Sequence, residues 1–240
     1  MNITLLTMHS EEYRPLANLT MPGKKEYAGR HGYEFVERRS PALSCWERPA
    51  IWLEELIKCP DGGWMFFTGT DVLFTNHTID ARTLCDPAFD LIISADGNGL
   101  MCDSFIIRKC LSTTIFLCKV SQRRGTVNNE QDAIDCVLSN SGDYGEYVRK
   151  LGCILKQDGE PPSQRILDRC QVELNHSNVR VKIVPQRTLN SYCHSCYGGS
   201  DEMPHSWHPG DLLAHFPGKT LAYRLEVMPR YLAQVIRQPC

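Results

Sequence analysis

No stretch of this chain is long and apolar enough to read as a membrane span, and the opening run Met1-Asn-Ile-Thr-Leu-Leu-Thr-Met8 is too short for a secretory leader or an anchor. A soluble, cytoplasmic protein with no membrane partner is therefore expected. An excess of charge of one sign is missing too: the formal net charge is −2 over 240 residues, so bulk electrostatics attract neither nucleic acid nor anionic lipid. There is no internal repeat, no low-complexity tract and no linker that would divide the chain. Cysteine is numerous but unpatterned. Twelve residues scattered from Cys45 to Cys240 make no dense disulfide framework, and free thiols are expected. Cys193-His-Ser-Cys196 has the spacing of half a zinc site, but no second Cys-x-x-Cys exists, so the pair reads as two ordinary thiols. Sequons at Asn2, Asn18, Asn76 and Asn175 read as chance matches.

What is present is alternation. Ile3 to Met8 predicts a strand, followed by an amphipathic helix from Ser10 to about Arg30 that Pro22-Gly23 interrupts. Gly32 to Arg38 alternates apolar with polar residues, as a half-buried strand does, and Trp46 to Cys59 carries helix-period apolar residues at Ile51, Leu53, Leu56 and Ile57. An apolar strand from Trp64, the run Phe89 to Ser94, and Ser104-Phe-Ile-Ile-Arg108 follow. Helices are expected at Ser112 to Val120 and Asn128 to Leu138, then a polar loop from Lys156 to Gln164, a strand at Val179 to Val184, and a last helix from Leu221 to Ile236. Strands alternating with helices imply an α/β fold, a single domain with a mostly parallel central sheet flanked by helices. The Cys-, His- and Trp-bearing segment from Ser191 to Pro209 has no clean period and reads as an irregular loop near a ligand; its His194, His205, Trp207 and His208 are candidate contacts for an acceptor.

Two places carry chemistry. The strand Trp64-Met-Phe-Phe-Thr ends on Gly69-Thr70-Asp71, a small-residue turn with a single carboxylate. Charge at the carboxyl end of a buried strand, where α/β sheets bind ligands, calls for a cation or a hydroxyl-rich partner. Much later Leu212-Leu-Ala-His215-Phe-Pro-Gly218-Lys219 ends a second apolar run on an imidazole, then a glycine and a cation. Together these suggest a site for a metal and a diphosphate. Asp71 alone reads as readily as a turn cap, and His215 alone as a core histidine; their surroundings turn both readings toward metal. Glu130 and Gln131 open a helix, where the helix dipole alone favours an acidic residue, and Asp132 competes with them for the same role. Tyr27, His31 and Tyr33 read as packing residues that anchor helix to strand, and Trp46 and Trp52 as core.

With these pieces placed, the chain resembles the retaining α-galactosyl-, α-mannosyl- and xyloglucan α-xylosyltransferase family of the GT-A fold. Lys24-Lys-Glu-Tyr27-Ala-Gly-Arg-His31-Gly-Tyr33 is similar to that family's Asn-Lys-x-x-Tyr-x-x-x-His-Gly-Tyr, the Trp64 to Asn76 strand stands in place of its Trp-x-x-x-x-Asp-x-Asp, Ser104-Phe-Ile-Ile-Arg108 resembles its Ser-Phe-Leu-Ile-Arg, and His215-Phe-Pro-Gly218 its His-Phe-x-Gly. The resemblance implies a Rossmann-like domain with a nucleotide-binding half at about 1–110 and an acceptor and metal-completing half at about 111–240. It implies a metal-dependent retaining glycosyltransferase that moves a hexose or pentose from a nucleotide sugar, a UDP-sugar, to a hydroxyl acceptor, a glycan. Asp71 and His215 would bind the metal, Mn²⁺ or Mg²⁺, with Mn²⁺ suiting a mixed oxygen and imidazole set. Thr7, Thr70, Gly218 and Lys219 would bind the donor, Lys219 standing closer to its glycine than is usual. Glu130, Gln131 and Asp132 would flank the anomeric carbon, with the departing phosphate deprotonating the acceptor in a front-face attack.

The clearest departure is Gly69, which holds the position of the family's first aspartate. It reads either as an eroded metal site or as an adaptation, and adaptation is favoured, the small residue making room for a bulkier donor or a backbone contact. Two rival readings follow: a nucleotide- or glycan-binding pseudoenzyme, and a transferase acting on hydroxylated nucleobases in DNA. Nucleic acid would enter only as an acceptor, with Arg123-Arg124 and the run Arg180 to Lys182 as the candidate basic contributors.

Overall fold

Short runs of β-branched and aromatic residues, buried on both faces, give this chain most strands of its central sheet, the half-exposed edge strand Glu34–Ser40 excepted. The computed structural model describes residues 1–96, 99–147, 164–174, 178–196 and 205–237. Its strands are β1 (Ile3–Ser10), β2 (Glu34–Ser40), β3 (Trp64–Thr68), β4 (Val72–Phe74), β5 (Leu91–Asp96), β6 (Gly99–Arg108), β7 (Val181–Val184) and β8 (Leu213–His215). The helices are α1 (Arg14–His31), α2 (Arg48–Lys58), α3 (Leu111–Gln122), α4 (Glu130–Leu138), α5 (Tyr144–Tyr147), α6 (Gln164–Leu174), α7 (Gln186–Leu189) and α8 (Leu221–Leu232). Six strands form one sheet in the order β2-β1-β3-β6-β5-β7. Strand β1 is parallel to β2 and β3, and β5 to β7, while β6 is antiparallel to both β3 and β5. All strands of the sheet but β6 therefore run one way, the mostly parallel α/β architecture expected.

Alternation along each strand divides the core in two. Met65 and Phe67 of β3 and Phe105 and Ile107 of β6 face Trp52 and Leu56 of α2, Phe116 and Leu117 of α3 and Ile166 of α6. Trp64, Phe66 and Ile106 face the other way, onto Tyr27 of α1 and Phe74 of β4. Each fully buried large apolar side chain contributes about 1.5–3 kcal/mol. A third cluster joins Leu16, Leu73, Trp207, Phe216 and Tyr231 around the later segments. There β4 and β8 pair antiparallel as a separate ribbon, with Val72 opposite His215.

Several details correct the sequence reading. Helix α1 runs unbroken through Pro22 and Gly23, because a face carrying Leu16, Ala17, Met21, Tyr27 and Ala28 is buried along its length and packing outweighs local propensity. On α2 it is Trp52 and Leu56 that go inside, whereas Ile57 is exposed, and Trp46 lies before the helix, only partly buried against the core. Cys193 and Cys196 are joined as a disulfide, with Cα atoms 5.4 Å apart, not two separate thiols; the turn puts both side chains on one side, within the third core cluster. Eight other described cysteines are free, as expected. Tyr27 packs as expected, its ring 4.0 Å from that of Phe74 and beside His31 and Tyr33. The polar loop up to residue 163, the sequon Asn175 and residues 197–204 of the irregular segment lie outside the described residues. Among the described residues no helix is long and apolar enough to cross a membrane.

One ion-pair cluster ties the sheet together at the end opposite Asp71. Asp90, just before β5, accepts from Arg180 Nε at 2.9 Å and Nη2 at 2.7 Å and from Arg108 Nη2, linking the starts of β5 and β7 to the end of β6. Burial opposes ionisation of Asp90, but the Arg180 and Arg108 hydrogen bonds outweigh it and pull the carboxyl down to about 2. A pKa lower in the folded than in the unfolded chain stabilises the fold above the ordinary carboxylate range and ceases to do so as pH falls to about 2. Asp90→Ala should lose about 2–4 kcal/mol near neutrality. The gap between its urea midpoint and that of the unaltered chain should close as pH falls from about 4 toward 2.

Candidate active site

The reversal of β6 decides what meets at the carboxyl end of β3. In an antiparallel neighbour the early residues lie beside the late residues of β3, so Thr68 pairs with Ser104 and the Gly69 N–H donates to the Asp103 carbonyl at 2.8 Å. Beyond Thr68 the chain turns, Val72 N–H donating back to the Gly69 carbonyl at 3.2 Å, and enters β4. Pairing with β8 then brings His215 alongside, with the Phe216 N–H on the Asp71 carbonyl at 3.1 Å. Three strands thus deliver Asp71, Asp103 and His215 to one place.

The imidazole is the telling member. His215 is fully buried, and its Nδ1 donates to Asn190 Oδ1 at 2.5 Å. Nε2 has no hydrogen-bond partner and stands 3.7 Å from Asp71 Oδ2 and 3.7 Å from Asp103 Oδ2. With Nδ1 committed to Asn190, Nε2 is the ring nitrogen left to face a ligand beside the two carboxylates. Burial opposes ionisation of Asp71, yet His215 and Arg224 outweigh it and hold the carboxyl well below the usual range.

Cations ring the trio. Arg224 of α8 donates to the Phe216 carbonyl at 3.0 Å and pairs with Asp71. Arg48, the first residue of α2, joins Asp103 to Glu130 and rides over the rings of Trp52 and Phe67 at 5.5 and 5.3 Å. Lys24 of α1, fully buried, donates to Thr7 Oγ1 at 3.1 Å and to the Gly69 carbonyl at 2.5 Å. Burial lowers its pKa to about 7, against the pull of Asp71 and Asp103. A cleft of about 280 Å³ opens onto this group, walled by Arg48, Gly69, Thr70, Asp71, Asp103 and Arg224.

Among the described residues no group of three or more His, Cys, Asp and Glu side chains is already gathered around an ion position, since Asp71 and Asp103 lean onto Arg224 and Arg48. The donor set still fits a divalent cation: two carboxylates and a buried imidazole nitrogen with no other partner.

The remaining expected residues divide. Thr70 lines the cleft, its hydroxyl on the Met8 carbonyl at 2.6 Å. Thr7 is buried behind the wall, holding Lys24. Glu130 reaches the group from the start of α4 through its pairing with Arg48, whereas Gln131 is placed only beside the Cys102 thiol, at 3.9 Å; neither walls the cleft. Asp132 instead turns back onto its own helix start, accepting from Asn128 Nδ2 at 2.9 Å. Lys219 donates to the Ser195 carbonyl, and neither it nor Gly218 walls the cleft. Trp207 is a core residue that donates to Thr75 Oγ1 at 2.9 Å. Arg180 is spent on Asp90, and Arg123 donates to the carbonyls of Ser141 and Gly142; neither walls the cleft.

Asp103, Arg48 and Arg224 are absent from the sequence reading, and Lys24 enters it only as the first residue of a motif, with no role at the site. Asp103 was within reach, being the lone charge inside the apolar run from Leu100 to Ile107, the same signal that marks Asp71.

No protein-family profile and no curated protein matches the sequence. Solved structures do match in shape. The glycosyltransferase involved in glycosylation of the major capsid of PBCV-1 superposes with a TM-score of 0.63 at 18% identity, over 96% of this chain and 100% of its own. The glycosyltransferase GlyE of Streptococcus pneumoniae gives 0.48 at 9% identity, over 99% of this chain and 61% of its own, and the galactosyltransferase LgtC, in complex with donor and acceptor sugar analogues, gives 0.44 at 12% identity, over 98% and 97%. The first likeness, spanning both chains, establishes the GT-A fold.

The buried Arg48–Glu130 pair supplies a test of the site's construction. Arg48→Met should lower stability by about 3 kcal/mol, because Glu130, only 5% exposed at its side chain, is left without its guanidinium. Glu130→Gln added to Arg48→Met should recover a large part of that loss in urea unfolding.

Proposed function

We propose that this protein is a metal-assisted retaining glycosyltransferase that moves a sugar from a UDP-sugar to a hydroxyl on a glycan. The observation that carries this reading is the buried His215 Nε2, without a hydrogen-bond partner and 3.7 Å from each of two carboxylates that wall a cleft. Asp71 and His215 would hold the cation. When bound, it would neutralise the charge that develops on the leaving diphosphate. The chain's own groups do the rest. Arg224 and Arg48 set the charge balance, so that an incoming diphosphate meets guanidinium as well as carboxylate. Thr70 fixes the strand-end turn against β1 through its bond to the Met8 carbonyl and would meet the donor at the cleft wall. Glu130, joined to Asp103 through Arg48, and its neighbour Gln131 would steady an oxocarbenium-like anomeric carbon. The likeness to glycosyltransferases supports the fold on which such a site is built.

Incubation with a panel of nucleotide sugars and Mn²⁺, reading slow donor hydrolysis, tests this without knowledge of the acceptor. UDP-sugars should be turned over, and Asp71→Ala and His215→Ala should each lower kcat/KM by about 100-fold. No hydrolysis of any donor would leave a binding protein in place of an enzyme.

A further inference from the structure

Gly69 sits in a tight space. Its backbone is not in the left-handed region that favours glycine, so conformation does not demand it. A Cβ built there would meet Asp71 Oδ1 at 3.0 Å, Asp103 Oδ1 at 3.2 Å and Asp103 Cβ at 3.6 Å. The carboxylates of Asp71 and Asp103 thus border the space into which a side chain at position 69 would project, and both must give way to admit one. Its two oxygens are distinct: Oδ1 is held by Arg48, while Oδ2 faces His215 Nε2 at 3.7 Å.

We infer that Asp103 provides the second anionic ligand of a divalent-cation site with Asp71 and His215, taking over from antiparallel strand β6 the carboxylate that position 69 lacks. This rests on the metal-assisted reading above and deepens it. The buried Nε2, without a hydrogen-bond partner, stands 3.7 Å from an oxygen of each carboxylate and marks the ligand position. Carboxylates at both 69 and 103 would crowd one volume with like charge, so the two positions are alternatives: a residue with a side chain at 69 requires a smaller or neutral one at 103. Arg48 is the positioning residue in this scheme, since it grips Asp103 by Oδ1 and leaves Oδ2 turned toward the imidazole.

The test is calorimetric titration of Mn²⁺, with and without UDP, into the unaltered protein, Asp71→Asn, Asp103→Asn, Gly69→Asp and the double variant Gly69→Asp/Asp103→Asn, with bound Mn²⁺ counted by electron paramagnetic resonance. Asp103→Asn keeps the shape and the Arg48 hydrogen bond, so its Tm without metal should stay near that of the unaltered chain while its Mn²⁺ affinity drops at least about tenfold. Gly69→Asp should weaken Mn²⁺ comparably, and the double variant should bind more tightly than Gly69→Asp alone. Full Mn²⁺ affinity in Asp103→Asn, with Asp71→Asn weakened, would overturn the role of Asp103 and leave the metal-assisted reading intact. Absence of Mn²⁺ binding by the unaltered protein would overturn both. A double variant as weak as Gly69→Asp would overturn the exchange between the two positions.

Discussion

The hydrogen bond from Gly69 N–H to the Asp103 carbonyl, at 2.8 Å, is the hinge of this molecule's chemistry. It exists because one strand of the sheet runs against the others. A parallel strand in the place of β6 would bring its last residues to the edge where β3 ends. An antiparallel one brings its first residues, and with them a carboxylate placed 32 positions after Asp71 in the chain. The pairing of β4 with β8 then closes the third side. Backbone pairing, which is indifferent to side-chain identity, has fixed where each charge lies before any charge interacts.

That placement makes the electrostatics demanding. Asp71, Asp103 and Glu130 confront Arg224, Arg48 and Lys24 in a region largely withdrawn from water. Buried ion pairs seldom stabilise a fold relative to apolar packing, so a cluster of six charges is a cost that the two apolar cores must carry. The three cations come from three different helices, α1, α2 and α8, each anchored by its own buried face. Asp103 comes from a strand, Asp71 from a strand-end turn and Glu130 from the start of α4, whereas all three cations come from helices. Such a division lets a diphosphate be met by guanidinium groups while its counter-cation is met by carboxylate and imidazole.

The architecture was legible from periodicity because strands buried on both faces leave unmistakable apolar runs, as Trp64 to Thr68 and Leu91 to Ile93 do. Asp71 and His215 were legible for the same reason in reverse: a charge closing such a run is conspicuous. Their partners were not. Which strand runs backwards cannot be read from a side-chain pattern of period two, and without that reversal Asp103 has no reason to be linked with position 69. Arg224 sits in a helix whose other charges are exposed, and only its burial against the Phe216 carbonyl sets it apart. Lys24 lies inside a recognisable segment, yet a lysine beside a proline-containing helix turn looks like surface until α1 is seen to run straight through. The Cys193–Cys196 bond escaped because spacing alone does not distinguish a bridge from two thiols.

The ribbon of β4 and β8 has a consequence for how the molecule comes into being. Residues 72–74 wait for residues 213–215 before they can pair, so the site is closed by contacts between segments very far apart in the chain. Pairings of that separation form late, since a long loop must be ordered before they reward it. During synthesis the sheet from β1 to β6 can gather while Asp71 still faces solvent, and the acidic pocket becomes a pocket only when the segment bearing His215 and Arg224 has left the ribosome and docked. A nascent chain stalled before that point would hold a nearly finished core and no finished site.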